Sequence, residues 1–135
     1  MRALPRLIRR TSPISGWGVY AAQPIEEDAP IVEYKGELVS QAEAWRRENR
    51  YLPRGRIWIF NINDRWARDA AVGGNIARYI NHACNPNCYV KIVGRHIWIH
   101  ASRPIRQGEE LTYDYNTDGV AGIACRCRPR CRRVL

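Results

Sequence analysis

The chain has 135 residues, 45% of them hydrophobic, and a formal charge of +9 at pH 7. This length suits a single domain with a modest core. No stretch approaches the roughly 20 consecutive apolar residues that a membrane-spanning helix needs, and "MRALPRLIRRTSP" lacks the apolar run of a signal peptide. We therefore expect an intracellular protein with no membrane partner.

The positive charge comes almost entirely from arginine, since Lys35 and Lys91 are the two lysines. Basic clusters suit an anionic partner such as nucleic acid, because bound phosphates release their counterions. The alternative is that these arginines are ordinary solvated surface residues. The clusters comprise Arg2, Arg6, Arg9 and Arg10, the stretch from Arg46 to Arg56, and Arg126, Arg128, Arg130, Arg132 and Arg133.

The first half of the chain predicts short strands and one helix. "GWGVYAAQPIEEDAPIVEYKGELVS" mixes strand-forming residues with turn residues, which is typical of several short strands. Ser40 and Glu43 form a capping box, which predicts that a short helix begins there and includes "AWRREN".

The second half predicts further strands. "RIWIFNIN" and "CYVKIVGRHIWIHA" alternate with the period of a strand, the latter as a hairpin that turns at Gly94. "EELTYDY" predicts another strand, with Leu111, Tyr113 and Tyr115 on one face and the polar residues Thr112 and Asp114 on the other. "AAQPIEEDAPI" and "ASRPIRQGEEL" share Ala, Pro and Ile, which predicts two similar corners. The fold is therefore expected to be mainly β with a few short helices.

The cysteines predict a metal site. There are five, and Cys125 and Cys127 are too close in sequence to pair readily in a disulfide. Together with Cys131 they can supply three zinc ligands, and the arginines between them favour the thiolate form. The fourth ligand has to come from another segment, and the candidates are Cys84 and Cys88.

Other motifs are weak when they are taken singly. The glycines around Trp17 are typical of a turn, and His82 alone is typical of a buried histidine. The sequence has no convincing Ser-His-Asp order, phosphate loop or HExxH motif, which argues against hydrolase and nucleotide-triphosphatase functions.

Taken in order, "GWGV", "EYKGELVS", "NIARYINHACNPNC", "GEELTYDY" and the cysteine-rich tail resemble the SET domain family of protein-lysine methyltransferases. The resemblance runs from about Ser12 to Cys131. It implies a β-clip fold with a pseudoknot, in which the strand ending at Tyr115 passes under the "NHACNPNC" loop. It also implies a SET domain at 12–118 and a post-SET zinc-binding segment at 119–135, while the arginines at the start of the chain predict a basic arm at residues 1–11.

The family resemblance implies S-adenosylmethionine as cofactor and structural zinc as metal. It implies Tyr115 as the residue that orients the target amine, Tyr34 as a wall of the lysine channel, and Tyr113 as the residue that limits methylation to one methyl group. It implies that Cys84 completes the metal site with Cys125, Cys127 and Cys131, and assigns no role to Cys88. The implied cofactor-binding residues are Ser15, Gly16, Trp17, Gly18, Trp58, Arg78, Asn81, His82 and Tyr115.

The expected activity is transfer of a methyl group to the ε-amine of a lysine in a histone or another basic, DNA-associated protein. The implied location is the cytoplasm, chromatin or a nucleoid. The alternatives are a non-catalytic SET-like module that binds a peptide, and a module that binds nucleic acid through its arginine-rich ends. The sequence predicts no oligomeric state.

Overall fold

A computed structural model describes residues 3–119 and 121–135, so Arg2 of the predicted basic arm lies outside the described residues. The described residues contain one α-helix, α1 (Gln41–Tyr51), and two 3₁₀ helices, Leu52–Arg54 and Ile76–Tyr79. None of these helices is long and apolar enough to cross a membrane. The strands are β1 (Leu7–Thr11), β2 (Trp17–Ala21), β3 (Pro30–Glu33), β4 (Glu37–Ser40), β5 (Ile59–Asn61), β6 (Trp66–Asp69), β7 (Asn81–His82), β8 (Cys88–Val93), β9 (His96–Ala101) and β10 (Thr112–Tyr113).

The strands form four small sheets. β1 and β2 make an antiparallel pair, while β4, β6 and β5 form one three-stranded sheet and β3, β9 and β8 form another. The fourth sheet is a short parallel pair, β7 with β10. The expectation of a mainly β fold is confirmed. The segment that we predicted as a basic arm contributes strand β1, which pairs with β2 along its whole length.

The helix begins where the capping box predicts. The Ser40 hydroxyl accepts a hydrogen bond from the backbone N–H of Glu43, which satisfies one of the free donors of the first turn. Ala44 is buried on the inner face of α1, in a small core with Val39, Ile59 and Ala67. This core holds α1 against the sheet of β4, β6 and β5.

The hairpin and the repeated corner also match the sequence. Gly94 has a φ of 62°, in the left-handed region, and turns β8 into β9. The two Ala, Pro and Ile corners lie against each other, because Ile25 and Ile105 exchange two backbone hydrogen bonds of 2.8 Å. Both isoleucines are buried in the main core.

The "EELTYDY" segment differs from its prediction. The regular strand is limited to Thr112 and Tyr113, and Thr112 is buried on the face that we expected to be polar. The reason is a polar contact inside the fold: the backbone N–H of Thr112 donates to Asn87 Oδ1 at 2.9 Å. A buried threonine is stable there because its polar groups have partners.

Candidate functional site

The crossing of β7 and β10 positions the candidate site. β10 pairs in parallel with β7, and the backbone N–H of Ala83 donates to the Tyr113 carbonyl at 3.2 Å. Just beyond β10, the backbone N–H of Tyr115 donates to His82 Nδ1 at 3.0 Å. The "YDY" and "NH" motifs are thus fixed side by side.

His82 performs two structural tasks with its ring. It is 3% exposed, and burial lowers the pKa of the imidazole, so the ring is neutral. Because Nδ1 accepts from Tyr115, Nε2 carries the proton and faces Cys84 Sγ at 3.5 Å. Both ring nitrogens are therefore used inside the protein, and any contact of His82 with a cofactor falls to its backbone.

Asn81 ties the crossing to the glycine-containing loop before β2. Its Nδ2 group lies 3.0 Å from the Trp17 carbonyl, 3.2 Å from the Ser15 carbonyl and 3.0 Å from Glu110 Oε2. The same carboxylate accepts from the Ser12 hydroxyl at 2.7 Å. One side-chain network thus fixes the loop and the start of β2, which together carry four of the predicted cofactor residues: Ser15, Gly16, Trp17 and Gly18.

Gly18 is required by this network. A Cβ atom at this position would overlap Glu110 Oε2 and lie 2.9 Å from the Cβ atom of Ser12. The glycine therefore lets the Glu110 carboxylate reach the loop. Gly16 differs, since its φ of +46° favours glycine although a Cβ atom there would point into open space.

Four aromatic rings line the interior next to the crossing. The ring centroids of Tyr34 and Phe60 lie 5.2 Å apart, those of Phe60 and Tyr113 lie 5.9 Å apart, and those of Tyr113 and Tyr115 lie 4.8 Å apart. The three predicted catalytic tyrosines are therefore brought together, with Phe60 as an additional member. Burial raises the pKa of all three phenols, so they stay protonated at physiological pH.

The hydroxyl groups of the three tyrosines have different surroundings. Tyr115 donates to the Ile80 carbonyl at 2.5 Å, and Tyr34 donates to the Trp58 carbonyl at 2.8 Å. Within residues 3–119 and 121–135, the Tyr113 hydroxyl makes no hydrogen bond to protein. The site therefore presents electron-rich oxygens and ring faces that are held in place, which suits a cation or an amine.

Trp58 and Arg78 lie on the edge of this aromatic group. The Trp58 ring meets Tyr51 edge-on at 5.2 Å, and the Arg78 guanidinium lies 5.8 Å from its centre. Arg78 also donates to the Tyr79 hydroxyl at 2.6 Å. The two predicted cofactor residues are therefore neighbours, although β5 and β6 separate them in the sequence.

Four thiols gather into a candidate metal centre. The Sγ atoms of Cys84, Cys125, Cys127 and Cys131 all lie within 4.8 Å of one another. Two of the distances are 3.9 Å (Cys84 to Cys125) and 3.8 Å (Cys84 to Cys131), close to the spacing of about 3.8 Å that Zn–S bonds of ~2.3 Å give in a tetrahedron. The donor set and its spacing fit zinc.

The surroundings of the thiols make Cys127 easier to ionise and Cys125 harder, since burial raises the pKa of the Cys125 thiol to about 12. Burial opposes the ionisation of Cys127, but hydrogen bonds from the Cys84 backbone and neighbouring thiols lower its pKa to about 7. Arg128 Nη1 also lies 3.5 Å from its sulfur. Cys88 is separate: it is 1% exposed, it donates to Asn87 Oδ1, and burial raises the pKa of its thiol to about 12. Of the two candidates for the fourth ligand, the structure brings Cys84 to the cluster.

Comparison with known proteins decides the family. The model of the SET domain family matches residues 16–116. The chain belongs to this family. It is 46% identical over 126 residues to "Histone-lysine N-methyltransferase, H3 lysine-4 specific" of Chaetomium globosum, covering 86% of this chain and 12% of that protein. It is 44% identical over 131 residues to "Histone-lysine N-methyltransferase trithorax" of Drosophila melanogaster, covering 92% of this chain and 4% of that protein.

Solved structures agree with the SET domain fold. The chain superimposes with a TM-score of 0.77 and 35% identity on a Chaetomium thermophilum Polycomb Repressive Complex 2 "in an autoinhibited conformation bound to S-adenosylmethionine", covering 84% of this chain and 15% of that one. A crystal structure of the same complex gives a TM-score of 0.76 at 36% identity, with 86% and 16% coverage. The predicted family and fold are confirmed. This SET domain corresponds to a small part of each of these much longer relatives.

Two residues of the SET domain site were not predicted from the sequence. Phe60 lies in a predicted strand, but a strand pattern does not say which face meets which neighbour, so its place in the aromatic group could not be predicted. Glu110 belongs to the "GEELTYDY" motif, to which no role for this carboxylate was assigned. A signal was present for Glu110, since a carboxylate next to a buried hydrophobic run needs hydrogen-bond partners.

Proposed function

We propose that this SET domain transfers a methyl group from S-adenosylmethionine to the ε-amine of a lysine in a histone. The observation that carries the proposal is the Tyr115 hydroxyl, held by the Ile80 carbonyl within the rings of Tyr34, Phe60 and Tyr113. The high identity to the two histone-lysine methyltransferases supports both the reaction and the substrate class.

The residues of the site suit S-adenosylmethionine as a cofactor. S-adenosylmethionine supplies a methyl group on a positively charged sulfur, and aromatic faces and oxygen atoms attract such a charge. Tyr115 offers both a ring and an oxygen, and Trp17 and Trp58 offer further rings at the predicted cofactor residues. Ser15, Gly16, Gly18, Arg78, Asn81 and His82 complete the proposed cofactor-binding set.

The aromatic group has a clear role toward the lysine. Tyr34 and Phe60 form an apolar wall that aligns the side chain and excludes water, and the Tyr115 hydroxyl orients the amine for in-line attack. The phenols remain neutral, so they act by position and hydrogen bonding. The lysine has to lose its proton to solvent before it enters the site.

We also propose that the product is monomethyllysine. The Tyr113 ring packs between Phe60 and Tyr115, and its hydroxyl is left without a protein partner among the described residues. A hydroxyl in this position can hold a water molecule close to the amine, and that water opposes entry of a bulkier methylated amine.

The proposal extends to the surroundings of the domain. Zinc bound by Cys84, Cys125, Cys127 and Cys131 would anchor the tail beside His82. A histone substrate implies a nuclear, chromatin-associated location.

The target lysine is left open, because the relatives include a protein named as H3 lysine-4 specific and a complex described with H3K27me3. The boundaries at residues 11 and 118 remain predictions.

Nucleic acid is a second proposed partner, carried by a different observation. Arg126, Arg128, Arg130 and Arg132 are exposed, and none of them forms an ion pair within the described part of the chain. Changing Arg126 and Arg132 to alanine, which leaves Arg128 next to Cys127, should weaken DNA binding and reduce its salt dependence, without changing methylation of a free peptide. Unchanged DNA binding would reject this partner.

The test of the main proposal is a methyl-transfer assay with radiolabelled S-adenosylmethionine and a panel of histones, other basic proteins and a lysate. Label should appear on histone H3 or another histone. In Tyr115→Phe, the rate of labelling should fall by at least about 100-fold. Calorimetry with S-adenosylhomocysteine supplies the control, since the variant should still bind it. Cofactor binding without methylation of any protein would favour the non-catalytic module.

A further inference from the structure

Arg9 lies in a stack of alternating rings and guanidinium groups. Its guanidinium carbon is 4.4 Å from the centre of the Trp17 ring and 4.8 Å from the centre of the Tyr79 ring. The guanidinium of Arg78 lies 4.8 Å from the same Tyr79 ring. Two positively charged groups thus share one aromatic ring, at the point where β1 passes the 3₁₀ helix Ile76–Tyr79.

These two positive charges have no negative partner. Arg47, Arg103 and Arg133 each pair with a carboxylate. No carboxylate lies within ion-pair distance of Arg9 or Arg78 in the parts of the chain that the structure describes. The uncompensated charge also affects the phenol between them: a hydrogen bond from Arg78 and the charge of both arginines lower the pKa of Tyr79.

The stack borders the proposed cofactor pocket. Trp17 and Arg78 are both proposed cofactor-binding residues, and the Trp17 carbonyl is held by Asn81 at 3.0 Å. Arg78 continues the stack toward Trp58, 5.8 Å away. Arg9 is exposed, so a ligand in this pocket can reach its guanidinium group from solvent.

We propose that Arg9 is a cofactor-binding residue that, with Arg78, binds the carboxylate of the amino-acid part of S-adenosylmethionine. A guanidinium binds a carboxylate through paired hydrogen bonds, and two unpaired guanidiniums at one place favour such an anion. The rings of Trp17 and Tyr79 hold Arg9 in position, which reduces the entropy lost on binding. This inference rests on the proposed function, because it assigns the carboxylate to that cofactor.

The test compares two ligands that differ in the carboxylate. S-adenosylhomocysteine carries the whole amino-acid part, whereas 5′-methylthioadenosine lacks it. Calorimetry on Arg9→Gln should show about a tenfold rise in Kd for S-adenosylhomocysteine, the loss expected for one charge-assisted hydrogen bond, with no change for 5′-methylthioadenosine. Arg9→Lys keeps the charge but not the planar fork, and should give an intermediate Kd.

Arg10→Gln is the matched control, since it removes the same charge from the next residue of β1, which points to the other side of the strand. It should leave both Kd values unchanged. Equal weakening of both ligands by Arg9→Gln, or an equal effect of Arg10→Gln, would overturn the inference and indicate a structural or general electrostatic role. An unchanged Kd for S-adenosylhomocysteine in Arg9→Gln would overturn it as well. A wild-type protein that binds neither ligand would instead reject the proposed function.

Discussion

His82 Nδ1 accepts the hydrogen bond that the backbone N–H of Tyr115 donates at 3.0 Å. The other ring nitrogen of His82 faces Cys84 Sγ, so one buried imidazole stands between the proposed catalytic tyrosine and the thiol cluster. The position of Tyr115 therefore depends on a segment that the tail cysteines hold in place. Through this link, a metal ion bound by the four thiols would support the proposed active site.

Removal of the metal should consequently reduce catalysis as well as stability. Cys84→Ser should no longer bind zinc, and its rate of methyl transfer should fall by at least about tenfold. The reason is that the loop that carries His82 loses its anchor. Metal content is measured by mass spectrometry of the purified protein. Cys88→Ala is the control and should keep one zinc, since Cys88 lies outside the cluster. Loss of zinc in Cys88→Ala would contradict this ligand set.

Tyr113→Phe should change the product while keeping the enzyme active. Without the hydroxyl, the space next to the amine no longer holds a water molecule, so monomethyllysine can be methylated again. Mass spectrometry of a peptide substrate should show dimethyllysine at long reaction times, with the first methylation slowed less than about threefold. If the variant stops at one methyl group, as the wild type is expected to do, Tyr113 does not limit the product.

Glu110→Gln should weaken cofactor binding through the loop before β2. The carboxylate of Glu110 accepts hydrogen bonds from Ser12, Tyr20 and Asn81, and an amide cannot satisfy all three donors. The expected result is a severalfold rise in KM for S-adenosylmethionine with kcat nearly unchanged, and a loss of about 1–3 kcal/mol in unfolding free energy.

The neighbouring residue supplies the control for Glu110. Glu109 forms a peripheral ion pair with Arg103, whose side chain is 53% exposed. Glu109→Gln should therefore lower the free energy of unfolding by less than about 1 kcal/mol and leave the KM for S-adenosylmethionine unchanged. If both glutamine variants raise KM equally, the effect comes from the charge of the segment and the loop network is not its cause.

Arg47 and Arg46 should differ sharply in their effect on stability. Arg47 donates to Asp69 at 2.9 Å, and Asp69 is 0% exposed and also accepts from Tyr51 at 2.8 Å. Arg47→Ala leaves a buried carboxylate without its cation. This should lower the free energy of unfolding, measured with urea, by about 3 kcal/mol or more. Arg46 is paired with Glu43 on the exposed face of α1, so Arg46→Ala should cost about 0.5 kcal/mol. Similar losses in the two variants would reject this role for Asp69.

Local features of the fold could be predicted from the sequence because their signals are local. The capping box at Ser40 and the glycine turn at Gly94 depend on backbone groups within a few residues, and both are present as predicted. The strand limits of "EELTYDY" could not be predicted in this way. They depend on Asn87 and His82, which reach Thr112 and Tyr115 from an earlier segment.

The sequence by itself determined the family, the gathering of three tail cysteines and the set of residues from which the site is built. These follow from the types of residue and their order, since thiolates bind zinc and the SET motifs combine particular residues at particular spacings. The tertiary structure decided which partners those residues have: the ring nitrogens of His82, the aromatic neighbour Phe60, and the place of Arg9 between two rings. The physical reason is that these contacts join segments far apart in the chain, and residue type alone does not fix which buried groups meet when the segments pack.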